Sequence, residues 1–563
     1  MDDNNTYDAL VIGSGMTGGW AAKEFTENGY RTLVIERGRD VKHKEDYPNA
    51  FKAPWDYKYR GYDTRKIKEE YSIQHLKYNF DASSMDFFAS DKDHPIETPI
   101  DKPARWFRGY QTGGRSLIWG RGAYRMSDLE FGANQKDGNG TDWPIRYKDI
   151  APWYDYVETF IGVCGTKENI DHYPDGKFLP AFEMNTAEKV IKDRIENHYE
   201  NRKLIPNRFA HLTKIKPGQF KGRSECQSRD MCHAGCPYGA YFSSNSSTLP
   251  AAYETGKLTL KSNVIVESII YDDEKGRAAG VRTINSITKE RSVYYARVIF
   301  LCASTLASTS ILMQSRTSRF PNGLSNSSGT LGRYLMDHHK NVGGSGILKG
   351  YKDSYYRGFR PGSLVIPNFR NVHRQEMDFL RGYGIYGGAS RAGIDPNQIG
   401  IGKEFKEKLS KPGPWKMSLY AYGECLPYYA NKVELHPEKK DQWGLPILNI
   451  SAEFKENEMK MRKDMKEQIT AILKVAGLSD INVSEGSHIM GDSTHFMGTA
   501  RMGLDPQTSV LNQYNQSHDI PNLFVTDGSC MPSASYMSPS LTFMALTARA
   551  CDYAVKAMKS GTL

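Results

Sequence analysis

The sequence predicts an α/β fold, α+β overall, in which a parallel-sheet domain is interleaved with a second domain built on an antiparallel sheet. Three observations carry the prediction. Residues 7–38 read as strand, glycine turn, helix and strand. Residues 258–315 alternate strand-like runs with turns and end in a small-residue helix start, and residues 340–450 carry further β-like runs with aromatics. At 563 residues the chain has room for about three or four average domains or two large interleaved ones. A core of that size needs no disulfide or metal staple.

Hydrophobic residues make up 39%, charged residues 25% and aromatics 12%, a balance that excludes a disordered or collagenous chain. The net charge of +9 is modest at 63.6 kDa. It reads as a soluble surface with excess lysine, far from a polybasic nucleic-acid signature. The longest apolar runs fall well short of the ~18–20 residues of a membrane span. The start, Met1-Asp2-Asp3-Asn4-Asn5, is acidic and polar, so no signal peptide is expected. The protein is then cytoplasmic, or it is exported together with a partner that carries the signal.

Residues 7–12 form a short apolar strand that runs into Gly13-Ser14-Gly15-Met16-Thr17-Gly18; a helix follows, and residues 31–35 are a second buried strand ending at Glu36. A glycine triplet alone is weak evidence. Here it sits between strand and helix with an acid 23 residues after Gly13, the dinucleotide-binding arrangement. Gly13 makes the turn, Gly15 lets the backbone approach a pyrophosphate, and Gly18 permits close helix–strand packing. The helix N-terminus offers amide donors and partial positive charge. Glu36 is placed to accept hydrogen bonds from both ribose hydroxyls, which disfavours a 2′-phosphate. The motif specifies ADP and leaves NAD and FAD both open.

Residues 40–100, rich in Lys, Asp and Tyr with little periodicity, read as an irregular surface excursion. Residues 105–126 are dense in glycine, which favours close approach of backbone to a ligand. The turn at 272–276 separates two strand-like runs, and the buried run 298–303 leads into a helix. Residues 453–477, dominated by Lys and Glu and closed by Gly477, read as a surface helix. The sequence holds no repeat or low-complexity tract.

Cys226, Cys232 and Cys236 crowd into eleven residues, while Cys164, Cys302, Cys425, Cys530 and Cys551 are scattered. That is a cluster pattern and not a disulfide framework. Three thiolates closing with Cys236-Pro237 suit iron–sulfur ligation, as a [3Fe-4S] cluster or a four-iron one with an outside ligand. Zinc held by the three thiolates and His233 is the rival. A disulfide plus a free thiol fits only an oxidising compartment.

Near the C-terminus stand Thr494-His495-Phe496-Met497-Gly498-Thr499, then Asp527-Gly528, then Ser538-Pro539-Ser540. With the N-terminal fingerprint, these motifs resemble the glucose–methanol–choline (GMC) oxidoreductase family of flavoenzymes, over both ends and much of the middle of the chain. Gly113-Gly114-Arg115-Ser116 is similar to the family's second glycine-rich flavin loop, and Val266 to the strand valine whose backbone meets the adenine. Gly332-Arg333-Tyr334-Leu335-Met336-Asp337-His338 is similar to its mid-chain motif. The resemblance implies a Rossmann-like FAD-binding domain over residues 1–335 and 486–563, with the excursion 40–100 and a cysteine loop at 223–240. It implies a substrate-binding domain over 336–485. FAD is then the redox cofactor, the Asp527-Gly528 amides lie near its ribityl and pyrimidine end, and His495 is the base for hydride transfer from an alcohol carbon. An imidazole suits that work because its ordinary pKa, about 6.5, leaves much of it neutral near pH 7.

The family's second catalytic position, usually Asn or His, falls on Ser538. A serine hydroxyl is no general base at neutral pH. Ser538 then acts through a water, Tyr536 fills the gap, or His495 works alone. The cysteine spacing resembles a branch of the family, the large subunits of bacterial membrane-linked sugar dehydrogenases, which carry a [3Fe-4S] cluster; glucose, gluconate, fructose and glucoside 3-dehydrogenases belong to it. This implies an FAD-dependent sugar or glycoside dehydrogenase that oxidises a secondary hydroxyl, with C3 of a glucoside and its 3-keto product as the leading choice. Electrons leave through the iron–sulfur cluster to an external acceptor. The implied partners are a small subunit, which would carry the signal for periplasmic co-export, and a haem protein. The alternatives are a family oxidase using O2 with zinc-binding or structural cysteines, and a flavoprotein scaffold whose catalysis was lost with Ser538.

Overall fold

The computed structural model describes residues 5–352, 354, 360–391 and 400–563. Residues 1–4 of the polar start, and residues 353, 355–359 and 392–399 of the β-rich stretch, lie outside the described residues.

The apolar runs become the buried strands of a seven-stranded sheet. Thr6–Ile12 lies between Thr32–Ile35 and Arg291–Leu301, all parallel; Leu258–Lys261 joins one side and Leu523–Val525 pairs with Arg291–Leu301. Arg277–Asn285 and Val264–Asp272 extend the sheet as an antiparallel edge. A parallel sheet must be covered on both faces, and alternate residues supply the two covers. Ala9 and Val11 pack with Ala21, Phe25 and Ala550 from the helices Met16–Glu27 and Ser540–Ser560, while Leu10 and Ile12 belong to the core that contains Trp119 and Trp143. The register sets Ile12 beside Ile35 and Leu301, and Leu301 beside Val525. The chain therefore leaves three strands at one edge, at Gly13, Cys302 and Thr526. Ligands of parallel sheets bind outside such carboxyl ends.

The second sheet has six antiparallel strands in the order Ser479–Glu485, His339–Leu348, Trp415–Gly423, Tyr383–Arg391, Leu364–Ile366, Ile205–Pro206. Along Trp415–Gly423 the two-residue period is plain: Trp415, Met417, Leu419 and Ala421 are buried, and Lys416, Ser418 and Tyr420 face outward. The buried face forms its own core with the helices Thr186–His198 and Glu456–Val475. Helix Thr186–His198 and the strand Ile205–Pro206 come to this sheet from before residue 336, because the stripe Ala187, Ile191 and Ile195 has its apolar partners here.

Glu456–Val475 corrects one expectation. It is not only a surface helix: Met461, Met465, Ile469, Ile472 and Leu473 are buried against the sheet. Each such burial stabilises by about 1.5–3 kcal/mol. An exposed pair such as Glu456–Lys460 (3.0 Å) is largely screened by water, so the apolar stripe decides where the helix sits. The excursion 40–100 also proves structured. Val41, Tyr47, Phe80, Phe87 and Phe88 form a small core with Leu117 and Ile118. Ile96–Glu97 adds a parallel strand to the hairpin Lys432–Lys440/Pro446–Ser451. Among the described residues no helix is long and apolar enough to cross a membrane.

Candidate active site

A cavity of about 310 Å³ runs along the carboxyl edge of the seven-stranded sheet. Gly13 has φ +98°, and a Cβ there would lie 2.5 Å from the Cys302 carbonyl oxygen; at Gly18 a Cβ would lie 1.8 Å from the Gly13 carbonyl oxygen. Gly15 lines the cavity, and a Cβ on it would meet nothing within 4 Å, so open space begins at its backbone. Glu36 accepts from the Ser14 amide (3.1 Å) and hydroxyl (2.5 Å) through Oε2, and from the Gly38 amide (2.9 Å) through Oε1. Burial pushes its carboxyl pKa up.

The second glycine loop docks on the first. The Gly113 amide donates to Ser14 Oγ (2.9 Å), and Asn245 Nδ2 donates to the Thr112 carbonyl (3.0 Å). Ser116 donates to the Gly113 carbonyl (2.6 Å) and accepts from the Ser244 amide (3.0 Å), so its hydroxyl builds the loop. Gly114 and Val266 line the cavity as well. Asp527 accepts from the Ser529 amide (3.0 Å) and hydroxyl (2.7 Å) and from the Ser308 hydroxyl of helix Thr305–Gln314. A Cβ on Gly528 would lie 2.5 Å from the Phe496 carbonyl oxygen, so backbone is pressed against backbone there too. Over the Glu36 end lie Arg37, ion-paired to Asp441 (3.4 Å), and His94 stacked on Trp443 (5.1 Å). An elongated cavity with a backbone-lined phosphate cradle, an acid at the ribose position and two interlocked glycine loops fits a flavin–adenine dinucleotide.

A second cavity, about 140 Å³, adjoins the first; Arg115, Trp119, Thr494, His495 and Ser538 line both. Its far wall is aromatic: Tyr386, Tyr420 and Tyr422 from the outward face of the second sheet, with Tyr124 and Tyr536. His495 stands at the join. Its backbone N–H donates to Asp337 Oδ1 (2.9 Å), while Oδ2 takes the Gly491 (2.9 Å) and Ser493 (3.1 Å) amides. The His495 ring places Nδ1 2.9 Å from His338 Nδ1, and His338 Nε2 lies 3.3 Å from the Ala534 carbonyl oxygen.

These contacts assign the protons. A carbonyl only accepts, so His338 carries its proton on Nε2 and, when neutral, presents a lone pair at Nδ1. His495 must then donate Nδ1–H, which leaves its Nε2 lone pair free. Burial, His338 and the cations Arg115, Lys77 and Lys340 hold the His495 pKa well below the ordinary 6.5, which favours the neutral ring.

His338 lies within the mid-chain motif, but the sequence reading gave it no role; 157 residues separate it from His495, and only the fold joins them. Its adjacency to Asp337 was the available signal. The Tyr536 hydroxyl accepts from the Asn368 amide (3.3 Å) and lines the cavity with Ser538. The ring nitrogen that serves His495 comes from His338.

The cysteine loop is assembled differently. Among the described residues no group of three or more His, Cys, Asp or Glu side chains is arranged to hold a metal ion. Cys226, Cys232 and Cys236 are close enough to act on one another's titration, yet they do not form such a group. His233 turns to Asn79, whose Nδ2 lies 3.4 Å from its Nδ1. This arrangement does not by itself support the iron–sulfur ligation expected from the spacing, or its zinc rival. All eight cysteines are free thiols, so no disulfide forms either.

Comparison with known proteins agrees with the geometry. Residues 214–340 and 427–547 match the N- and C-terminal parts of the family described as GMC oxidoreductase. The 2-methyl-1,2-propanediol dehydrogenase of Mycolicibacterium austroafricanum is 26% identical, over 97% of this chain and 94% of the relative. The fructose dehydrogenase large subunit of Gluconobacter japonicus is 25% identical, over 98% of each, and the gluconate 2-dehydrogenase flavoprotein of Pantoea cypripedii 24%, over 96% and 92%. Formate oxidase from Aspergillus oryzae superimposes with a TM-score of 0.61 at 13% identity, covering 100% of each chain. Pyridoxine 4-oxidase from Mesorbium loti gives 0.60 at 15%, covering 97% and 98%. At that identity the two structures show a shared fold.

Proposed function

Because the chain belongs to the GMC oxidoreductase family, FAD-dependent oxidoreductases acting on CH–OH groups, we propose that it is a dehydrogenase of a sugar or glycoside in which His495 is the base. The observation that carries this reading is the free Nε2 of His495 at the join of the dinucleotide cavity and the tyrosine-walled one. FAD, held by the Gly13–Gly18 turn, Glu36, the Gly113–Ser116 loop, Val266 and the Asp527-Gly528 backbone, would supply a hydride acceptor. His495 Nε2 takes the hydroxyl proton of the substrate. As it does, Nδ1–H remains donated to His338, so the ring keeps its orientation while its charge changes. A base so placed is typically worth about 10²–10⁴ in rate. Ser538 offers a hydrogen bond to the same oxygen. The hydroxyl-rich wall of Tyr386, Tyr420 and Tyr422, with Asn207 and Ser363, suits a polyhydroxylated substrate: amphipathic rings with polar tips.

Within this reading the oxidised position is C3 of a glucoside, giving the 3-keto sugar, and the electrons pass to an external acceptor. The support is the resemblance of the motifs to sugar dehydrogenases and the named relatives that are dehydrogenases. A small subunit and a haem protein would be the partners, as the term large subunit for one relative suggests. No step is assigned to the cysteine loop. The test is anaerobic addition of methyl α-D-glucoside to the flavin-loaded protein, followed by NMR of the product. Bleached flavin bands and a 3-keto sugar are expected. Glucose giving only the C1 lactone while methyl glucoside stays inert overturns C3, and O2 uptake matching substrate loss overturns the dehydrogenase assignment.

A further inference from the structure

The substrate cavity holds charge that proton transfer to His495 does not use. Lys77 is only 9% exposed and lines this cavity but not the dinucleotide one. Its ammonium donates to the Asp492 backbone carbonyl (3.1 Å) and lies 5.1 Å from the ring centroids of Tyr78 and Phe107. Arg115 lines the same cavity and donates to the Thr494 carbonyl (3.1 Å). Lys340 is near enough to Lys77 for the two charges to oppose one another. Among the described residues none of the three is ion-paired.

The nearby carboxylates are committed elsewhere. Asp337 takes the amides of Gly491, Ser493 and His495 together with the Ser493 hydroxyl. Asp492 pairs with Arg105 (2.7 Å) and accepts from Asn341 Nδ2 (3.1 Å) and the Ser487 hydroxyl (3.2 Å). Carbonyl oxygens and ring faces offset a buried cation only in part. Several cations on one low-dielectric wall focus a positive field into the cavity. The dinucleotide does not account for Lys77, which lines the substrate cavity alone, whereas Arg115 lines both cavities.

Resting on the sugar-oxidoreductase reading, we propose that Lys77 and Arg115 form a carboxylate subsite, so that the substrate is an acidic sugar, a uronic or aldonic acid or its glycoside. Its reacting hydroxyl lies at His495 Nε2 and its carboxylate at the cationic wall. The planar fork of Arg115 suits a carboxylate. Burial together with Lys340 and Arg115 holds the Lys77 pKa well below the ordinary lysine value, and a bound carboxylate relieves that repulsion by pairing.

The test compares methyl β-D-glucuronide with methyl β-D-glucoside, which differ only in carboxylate against hydroxymethyl at C6, on the flavin-loaded enzyme. The glucuronide is expected to show at least tenfold higher kcat/KM, mostly through KM, and Lys77→Met to lower that preference at least tenfold. Binding of D-glucuronate against D-glucose, read from perturbation of the flavin spectrum, gives a measure without turnover and needs no variant. Glucuronate binding no tighter than glucose overturns the subsite. So does a Lys77→Met enzyme that keeps the glucuronate preference while its flavin midpoint potential moves, since the charge then serves the cofactor. Tighter glucuronate binding with no turnover of either glycoside keeps the subsite and overturns the glycoside reading.

Discussion

The two cavities that meet at His495 are made of different material. The dinucleotide cavity is lined by backbone at Gly13, Gly15 and Gly114, with an approach at Gly13 that only glycine allows. The substrate cavity is walled by side chains, chiefly the tyrosines on one face of an antiparallel strand pair. Backbone recognises what every dinucleotide shares, phosphate and ribose. Side chains can be exchanged without disturbing the strand that carries them, so selectivity for one sugar belongs on the second wall. Substitutions on the first wall should therefore be all-or-none in cofactor content, and those on the second graded in kinetics.

The largest effect is expected at Gly18, where a methyl would lie 1.8 Å from the Gly13 carbonyl oxygen. Gly18→Ala should purify without bound flavin, and a full complement by absorbance would break the comparison. His495→Ala comes next: flavin retained, kcat lower by about 10²–10⁴. His338→Phe keeps a ring but removes the acceptor for His495 Nδ1–H and should cost about 10–100-fold in kcat, a typical penalty for losing an orienting partner. His338→Asn keeps an acceptor and should recover most of it, whereas equal loss in both variants would reduce His338 to packing.

The smallest effect is a shift of a pH limb. His495 must be neutral to accept a proton, so activity rises with pH through its pKa. That pKa is lowered, so the kcat/KM plateau should extend below pH 6.5. Lys77→Met removes one of the cations that lower it and should move the limb to higher pH; a limb that stays put would separate the cationic wall from the base.

The first wall was legible before any coordinates, because a parallel βαβ unit is a local object: strand, turn, helix and acid lie within about thirty residues, and backbone physics alone dictates where glycine must stand. His495 was legible through its motif. The face of helix Glu456–Val475 was harder to read, since abundant Lys and Glu mask a stripe of Met, Ile and Leu whose partners lie on a sheet far away in sequence. The cysteine triplet is the converse case. Three thiols close in sequence satisfy a spacing rule, but ligation also depends on how their side chains converge, which spacing does not encode; among the described residues no such group is assembled.

By itself, then, the sequence determined the dinucleotide cradle, the alternation of sheet and helix, and the histidine proposed as the base, all set by local spacing and short-range backbone geometry. Tertiary structure alone decided which ring orients that histidine, which face of the second sheet meets it, and that Lys77 and Arg115 share its cavity with no ion pair among the described residues. Those are contacts between residues separated by tens to hundreds of positions. Their geometry follows from how two sheets pack, which no local pattern encodes.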